Sequence, residues 1–161
     1  MAIRSFEQLK YEASWHGPKR LAIAAAASTE SLAAAAEAQS LGIASCILVD
    51  DAEKLQKLAD AQGTDLSNMV IVNQPDHELA ARMVMQMARN GEADAVMKGS
   101  LETAVFMRAA VDKDTGLRSG KLLTHIAVYE IPGFNRLLLI SDGGVVVAPD
   151  LLQKMEIVQN A

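Results

Sequence analysis

The stretch ADAVMKGSLETAVFMRAAVDKDTGLRSGK, residues 93–121, decides the fold. Ala95, Val96 and Met97 form a short apolar run that suits a buried strand. The chain then turns through Lys98, Gly99 and Ser100 into an amphipathic segment reaching from Leu101 to about Val111. Strand, turn and helix in that order make one unit of an α/β sheet. Ser100 has the residue type of an N-cap, Glu102 falls in the first helical turn, and the amides of Leu101, Glu102 and Thr103 are expected to lack intrahelical partners. Amides left free at a helix start attract anions. Lys98 adds a positive charge at the carboxyl end of the strand, the edge on which open α/β sheets bind ligands, and Gly99 lets backbone approach closely. With Arg108 on the helix, and Arg118 and Lys121 after it, the collection suits a phosphate-bearing ligand. The competing reading is that Ser100 and Thr103 only cap, while Lys98 and Arg108 are solvated charges.

Upstream the same grammar recurs. Ser5 and Gln8 have capping-box spacing, which predicts a short helix over residues 5–14 before the breaker His16, Gly17, Pro18. Residues 21–27 are a continuous apolar run, followed by Ser28 as cap, Glu30 in the first turn and an alanine-rich helix stopping at Gly42. A second strand over residues 44–49 leads to Asp50 as cap and a helix with Leu55, Leu58 and Ala59 on one face, ending at Gly63. A third strand, residues 68–72, precedes Pro75 in a first helical turn with Asp76 and Glu78. That helix ends at Arg89, Asn90 and Gly91, with Leu79, Met83 and Met87 spaced as its core face. Four such alternations imply a mostly parallel sheet with helices on both faces and right-handed crossovers. Its carboxyl edge would carry Ser28, Asp50, Asp51, Asn73, Gln74 and the turn from Lys98 to Thr103.

After Lys121 the pattern changes. Residues 124–131 and 136–141 read as two strands joined through Pro132, Gly133, Phe134 and Asn135, an antiparallel hairpin with His125 packed inside its first strand. Asp142, Gly143 and Gly144 end it, a short run at residues 145–147 follows, and Pro149 and Asp150 open a helix with Leu151, Leu152, Met155 and Val158 apolar. The expected organisation is therefore a first α/β lobe with its N-terminal helix over residues 1–121, and the incomplete start of a second lobe over residues 122–161. Two or three strands and one helix cannot cover both faces of a sheet, which reads as a chain cut short of its second lobe or one completed by a partner, and favours association into a homo-oligomer.

Composition sets the outer limits. A chain of 161 residues with 50% hydrophobic and 22% charged residues can bury a real core. A net charge of -5 gives no footprint for nucleic acid, so any anion site must be local. Cys46 stands alone in an apolar run and reads as a buried, reduced thiol. His16, His77 and His125 are too scattered for a zinc site, and no structural metal is expected. No apolar run approaches the ~18 residues of a membrane span, and the start MAIRSFEQLK lacks a signal-peptide core. A cytoplasmic protein without membrane association is the expectation.

Two nucleotide motifs fail. In GLRSGK the glycines are one residue too close for a phosphate loop, and Leu122 follows Lys121 where Ser or Thr is needed. A dinucleotide fingerprint needs glycines after the first strand, where Ala25, Ala26, Ala27 and Ser28 stand, which leaves Asp50 as a nicotinamide reading's sole support. From residue 93 to the last residue, however, the chain resembles the phosphate butyryltransferases, with thinner likeness back to Leu21. Phosphate acetyltransferases share the turn at Met97, Lys98 and Gly99, then Thr103, and the segment TGLRSGK at residues 115–121. This resemblance to the phosphate acetyl/butyryltransferase family implies two α/β lobes of the isocitrate/isopropylmalate dehydrogenase-like kind with an active site between them. It implies reversible acyl transfer from coenzyme A to inorganic phosphate, with butyryl-coenzyme A the closer match, and no cofactor beyond the coenzyme A thioester itself. Lys98, Gly99, Ser100, Thr103, Arg118 and Lys121 would bind phosphate or coenzyme A. Family members run to about twice this length, and the half not matched carries the acid–base residues. These 161 residues alone are therefore expected to be inactive, or to serve as a non-catalytic ligand-binding or assembly module. Where relatives read Thr-Asp-Ala-Ala after the hairpin, this chain has Ser141, Asp142, Gly143 and Gly144.

Overall fold

The computed structural model describes residues 3–161 and resolves into two units, one of Ala13–Arg118 and one of Ser119–Ala161 with the segment up to Glu12. In the first, strands β1 (Lys19–Ala24), β2 (Ala44–Asp50), β3 (Val70–Asn73) and β4 (Ala95–Lys98) form a parallel sheet of order β3-β2-β1-β4. Helices α2 (Thr29–Ser40), α3 (Ala52–Gln62), α4 (His77–Arg89) and α5 (Thr103–Ala110) alternate with them, after α1 (Phe6–Trp15). The predicted α/β sheet with helices on both faces is what forms. Strand alternation divides the core into two layers. Ile23, Cys46 and Leu48 face Leu32, Leu55 and Ala59 of α2 and α3, whereas Ala22, Ala24 and Val49 face Ala81, Val84 and Met85 of α4. The Cys46 thiol is buried, and burial pushes its pKa up.

Several boundaries differ from expectation for local reasons. β1 begins two residues early because the Lys19 amide donates to the Ile43 carbonyl and Arg20 is tied by backbone and guanidinium to Asp94, 2.8 Å in both cases. It ends at Ala24 because Ala25 has φ +53°, outside extended backbone. Asp50 is not a cap: it is the last residue of β2, and Asp51 accepts the Lys54 amide as the N-cap of α3. β3 starts at Val70, and Pro75 lies outside α4, whose N-cap is Asp76. The core face of α4 is Ala80, Ala81, Val84 and Met85. Met83 and Met87 only flank it and Leu79 is 48% exposed, so the expected stripe is rotated by about one residue.

The second unit holds the predicted antiparallel hairpin, β5 (Ala127–Glu130) paired with β6 (Leu137–Ile140) from Ala127 opposite Ile140 to Glu130 opposite Leu137. Glu130 accepts the Phe6 amide at the start of α1. His125 precedes β5 and does not sit within it; its amide donates to Asp142 and its carbonyl accepts the Ser141 hydroxyl. Asp142 also receives the amides of Gly144 and Val145, and these donors hold its pKa down at about 2. Residues 145–147 form no strand. α6 (Leu151–Asn160) carries a full capping box between Asp150 and Gln153, and exposes Leu151, Leu152, Met155 and Val158.

Candidate functional site

The turn after β4 is built against the turn after β1. The Gly99 amide donates to the Ala24 carbonyl and the Ser100 amide to the Ala25 carbonyl, both at 2.8 Å, so two loops some seventy residues apart share one hydrogen-bonded seam. Ala25 reaches this geometry through its positive φ. A Cβ on Gly99 would stand 2.2 Å from the Ala25 oxygen and 2.9 Å from the Ser31 hydroxyl, which explains why glycine alone fits. At the carboxyl edge of the sheet this seam floors an open cleft of about 310 Å3 lined by Ser28, Glu30, Ser31, Met97, Lys98, Gly99 and Ser100.

The expected amide cradle loses its first member, Leu101, and its cap. Ser100 does not cap α5. The Leu101 amide is used by the Gly99 carbonyl at 3.0 Å, Leu101 itself is buried, and the helix begins only at Thr103 with Glu102 as an N-cap whose side chain accepts nothing. Four residues of turn, where the reading allowed three, are needed because Ser100 is spent on the seam. Lys98 lies in the cleft and its ammonium donates to the Leu101 carbonyl at 3.1 Å, which uses one of its three donors. On the facing wall Ser28 caps α2, accepting the Ser31 amide at 3.1 Å and donating its hydroxyl to Ser31 Oγ at 2.8 Å. Glu30 brings a carboxylate to the same wall, so the cleft is of mixed charge.

Lys98, Gly99 and Ser100 thus line one cleft; Thr103 and Arg118 of the same unit are not among its lining residues. Thr103 is exposed as the first residue of α5, outside the cleft lining. Arg118 is exposed at the end of a clasped loop: Asp112 accepts the amides of Asp114 and Thr115, and Arg89 donates to the carbonyls of Asp114 and Gly116 at 2.8 and 3.3 Å. Lys121 is exposed and belongs to the second unit. Arg108 reaches toward Glu78, 3.7 Å away, in a separate shallow cleft between α4 and α5. Ser31 and Glu30 were not foreseen as lining residues, although Ser31 at three residues past the Ser28 cap is where a capped first turn returns to the sheet edge. Asp50, expected as a cap and as an acid on the carboxyl edge, is 1% exposed at the end of β2.

Residues 77–161 match the sequence model of a family described as phosphate acetyl/butaryl transferase. The chain is 36% identical over 159 residues to phosphate butyryltransferase of Clostridium acetobutylicum, covering 99% of this chain and 53% of that protein. It is likewise 36% identical over 131 residues to phosphate acetyltransferase of Rhizobium meliloti, covering 81% of this chain and 42% of that protein. Among solved structures, a branched-chain phosphotransacylase from Enterococcus faecalis superposes with TM-score 0.73 at 22% identity, over 89% of this chain and 49% of that one. The EutD phosphotransacetylase from Staphylococcus aureus superposes at 0.67 and 19%, over 92% and 53%. At those identities the structural likeness speaks for the α/β fold alone. The chain spans about half the length of the curated relatives it matches.

Proposed function

The chain belongs to the phosphate acetyl/butaryl transferase family, and from that membership we propose that it furnishes the phosphate-holding part of an enzyme that moves an acyl group between coenzyme A and inorganic phosphate. A phosphate oxygen attacks the thioester carbonyl carbon, the new C–O bond forms, the carbonyl oxygen takes up negative charge, and the C–S bond then breaks to release coenzyme A as thiolate, which takes a proton. Such a reaction needs an anion held in line with the carbonyl and donors preset for the developing oxyanion. The observation that carries the reading is the position of Lys98 in an open cleft at the carboxyl edge of a parallel sheet, within the matched residues. Two ammonium protons remain beside the one given to Leu101, and the hydroxyls of Ser28 and Ser100 stand on the same cleft. Thr103, Arg118 and Lys121 are assigned to phosphate or coenzyme A on family likeness. Butyryl-coenzyme A is the proposed substrate, supported by relatives named phosphate butyryltransferase in Clostridium acetobutylicum and Clostridium beijerinckii, at 36% and 33% identity. The acid–base groups are assigned to the part of those relatives that this chain does not span.

The test is Lys98→Ala. Phosphate affinity, followed by titration with inorganic phosphate, should fall about tenfold, the scale of one charge-assisted hydrogen bond. The fold should persist, since the exposed side chain contributes one part-buried hydrogen bond. An unchanged affinity refutes the cleft. Phosphate-dependent thiol release from butyryl-coenzyme A separates an enzyme from an anion-binding module, which would bind phosphate without turnover.

A further inference from the structure

Asp50 is the buried charge that the proposed chemistry leaves unused. Its side chain is 2% exposed at the carboxyl end of β2, a position where desolvating a carboxylate is costly unless donors meet both oxygens. Both are met. The Ala27 amide donates to Oδ2 at 2.8 Å and the Asp51 amide to Oδ1 at 2.7 Å, while His77 Nε2 at the start of α4 lies 3.8 Å from Oδ1. Ending a strand requires none of this, and the Asp50 carbonyl already accepts the Gln74 amide on the β3 side.

What the carboxylate holds is the turn between β1 and α2. Residues 25–27 carry consecutive constraints: the Ala25 amide is bound by the Val49 carbonyl, the Ala25 carbonyl takes the Ser100 amide, the Ala26 carbonyl takes the Ser28 amide, and the Ala27 amide is bound by Asp50. Pulling the Ala27 peptide toward β2 fixes the left-handed Ala25, whose carbonyl sets the height of Gly99 and Ser100 on the cleft floor. The same pull seats Ser28, and with it the Ser28 and Ser31 wall. We propose that Asp50 is a positioning residue for the Lys98 cleft, acting through the β1–α2 turn on the backbone of Gly99 and Ser100. The functional part of this inference rests on the reading of that cleft as a phosphate site; the geometric part does not.

Asp50→Asn tests it, because the amide keeps the shape but turns an NH2 group toward one of two backbone donors. The variant should still unfold cooperatively, with the backbone amide resonances of Ala27, Gly99 and Ser100 displaced and affinity for inorganic phosphate lowered about tenfold. Leu55→Ala, in the core under α3, is the matched control: it costs stability yet leaves the Gly99 and Ser100 resonances and the phosphate affinity unchanged. Should Asp50→Asn not fold, Asp50→Ser, smaller and still an acceptor for one amide, carries the same comparison. Gly99 and Ser100 resonances that stay in place overturn the proposal. So does wild-type phosphate affinity in a variant whose Ala27 amide has lost its partner. If the wild-type chain binds no phosphate, the cleft assignment falls by itself, and the Gly99 and Ser100 resonances still decide whether Asp50 positions the turn.

Discussion

Replacing Gly99 by alanine should damage this protein more than any other single methyl group added at the sheet edge. The backbone at Gly99 is not left-handed, so alanine is conformationally permitted there and the whole penalty comes from space. The added Cβ would meet the Ala25 oxygen at 2.2 Å and the Ala25 carbonyl carbon at 2.9 Å, both backbone atoms in a turn already pinned on either side. Reaching ordinary van der Waals separation requires the two turns to part by roughly 1 Å. The bonds from Gly99 to Ala24 and from Ser100 to Ala25, both 2.8 Å, would not survive that displacement. Overpacking of about 1–3 kcal/mol and about 1 kcal/mol for each of the two hydrogen bonds lost place the cost at ~3–5 kcal/mol. For a chain of this size that corresponds to a melting point lower by ~6–20 °C, measured by circular dichroism at 222 nm. Gly91→Ala is the reference, since Gly91 has φ +74° and open space around it, so only backbone strain of ~1–2 kcal/mol is at stake. A Gly99→Ala melting point within ~2 °C of wild type would show that the seam is not the close contact described.

Two further outcomes follow from the packing of α4 and the pairing of Arg20 with Asp94. Met85→Ala should cost ~2–5 kcal/mol and Leu79→Ala less than ~1 kcal/mol by urea unfolding, because Met85 is fully buried while Leu79 is 48% exposed; the reverse order would return the core face of α4 to the periodicity first read from its sequence. The hydrogen bonds from the Arg20 guanidinium and then its amide hold the Asp94 pKa down at about 2, so its stabilising effect is complete above the unfolded value near ~4 and is lost as pH falls through the folded one. The stability difference between wild type and Asp94→Asn should therefore be constant from neutral pH to ~4 and shrink toward pH ~2, and a difference independent of pH across that window would exclude the pairing.

The sheet and its order of elements were legible because each strand is a compact apolar run closed by a capping residue or a glycine, signals that depend on neighbours in sequence. Ser28 as the cap of α2 and Gly63 as the left-handed end of α3 are of this kind. The errors arose where a tertiary partner outbid a local preference. Ser100 would cap α5 in isolation, but its amide is drawn to Ala25, and the helix start moves to Thr103. Asp50 and Asp51 are equivalent as caps by residue type; only the position of the Ala27 amide makes one a buried anchor and leaves the other to α3. In the same way Lys98 was legible as a cation at the carboxyl edge, whereas Ser31, Glu30 and the role of Asp50 depend on a turn seventy residues upstream lying alongside. The rotation of the α4 stripe has a simpler cause: Ala80 and Ala81 offer little hydrophobic signal, yet their small size is what lets that helix approach β1 and β2.

The strand order carries a consequence for biosynthesis. β1 lies between β2 and β4, and the backbone groups on its β4 side must wait for residues 94–99 before they find partners. A nascent chain that has emerged only as far as α4 therefore presents an open, hydrogen-bond-hungry flank along Lys19–Ala24, the kind of border that recruits foreign strands. The segment that closes this flank is also the one that lays down Gly99 and Ser100, so protection from mispairing and completion of the cleft floor arrive in a single step of synthesis.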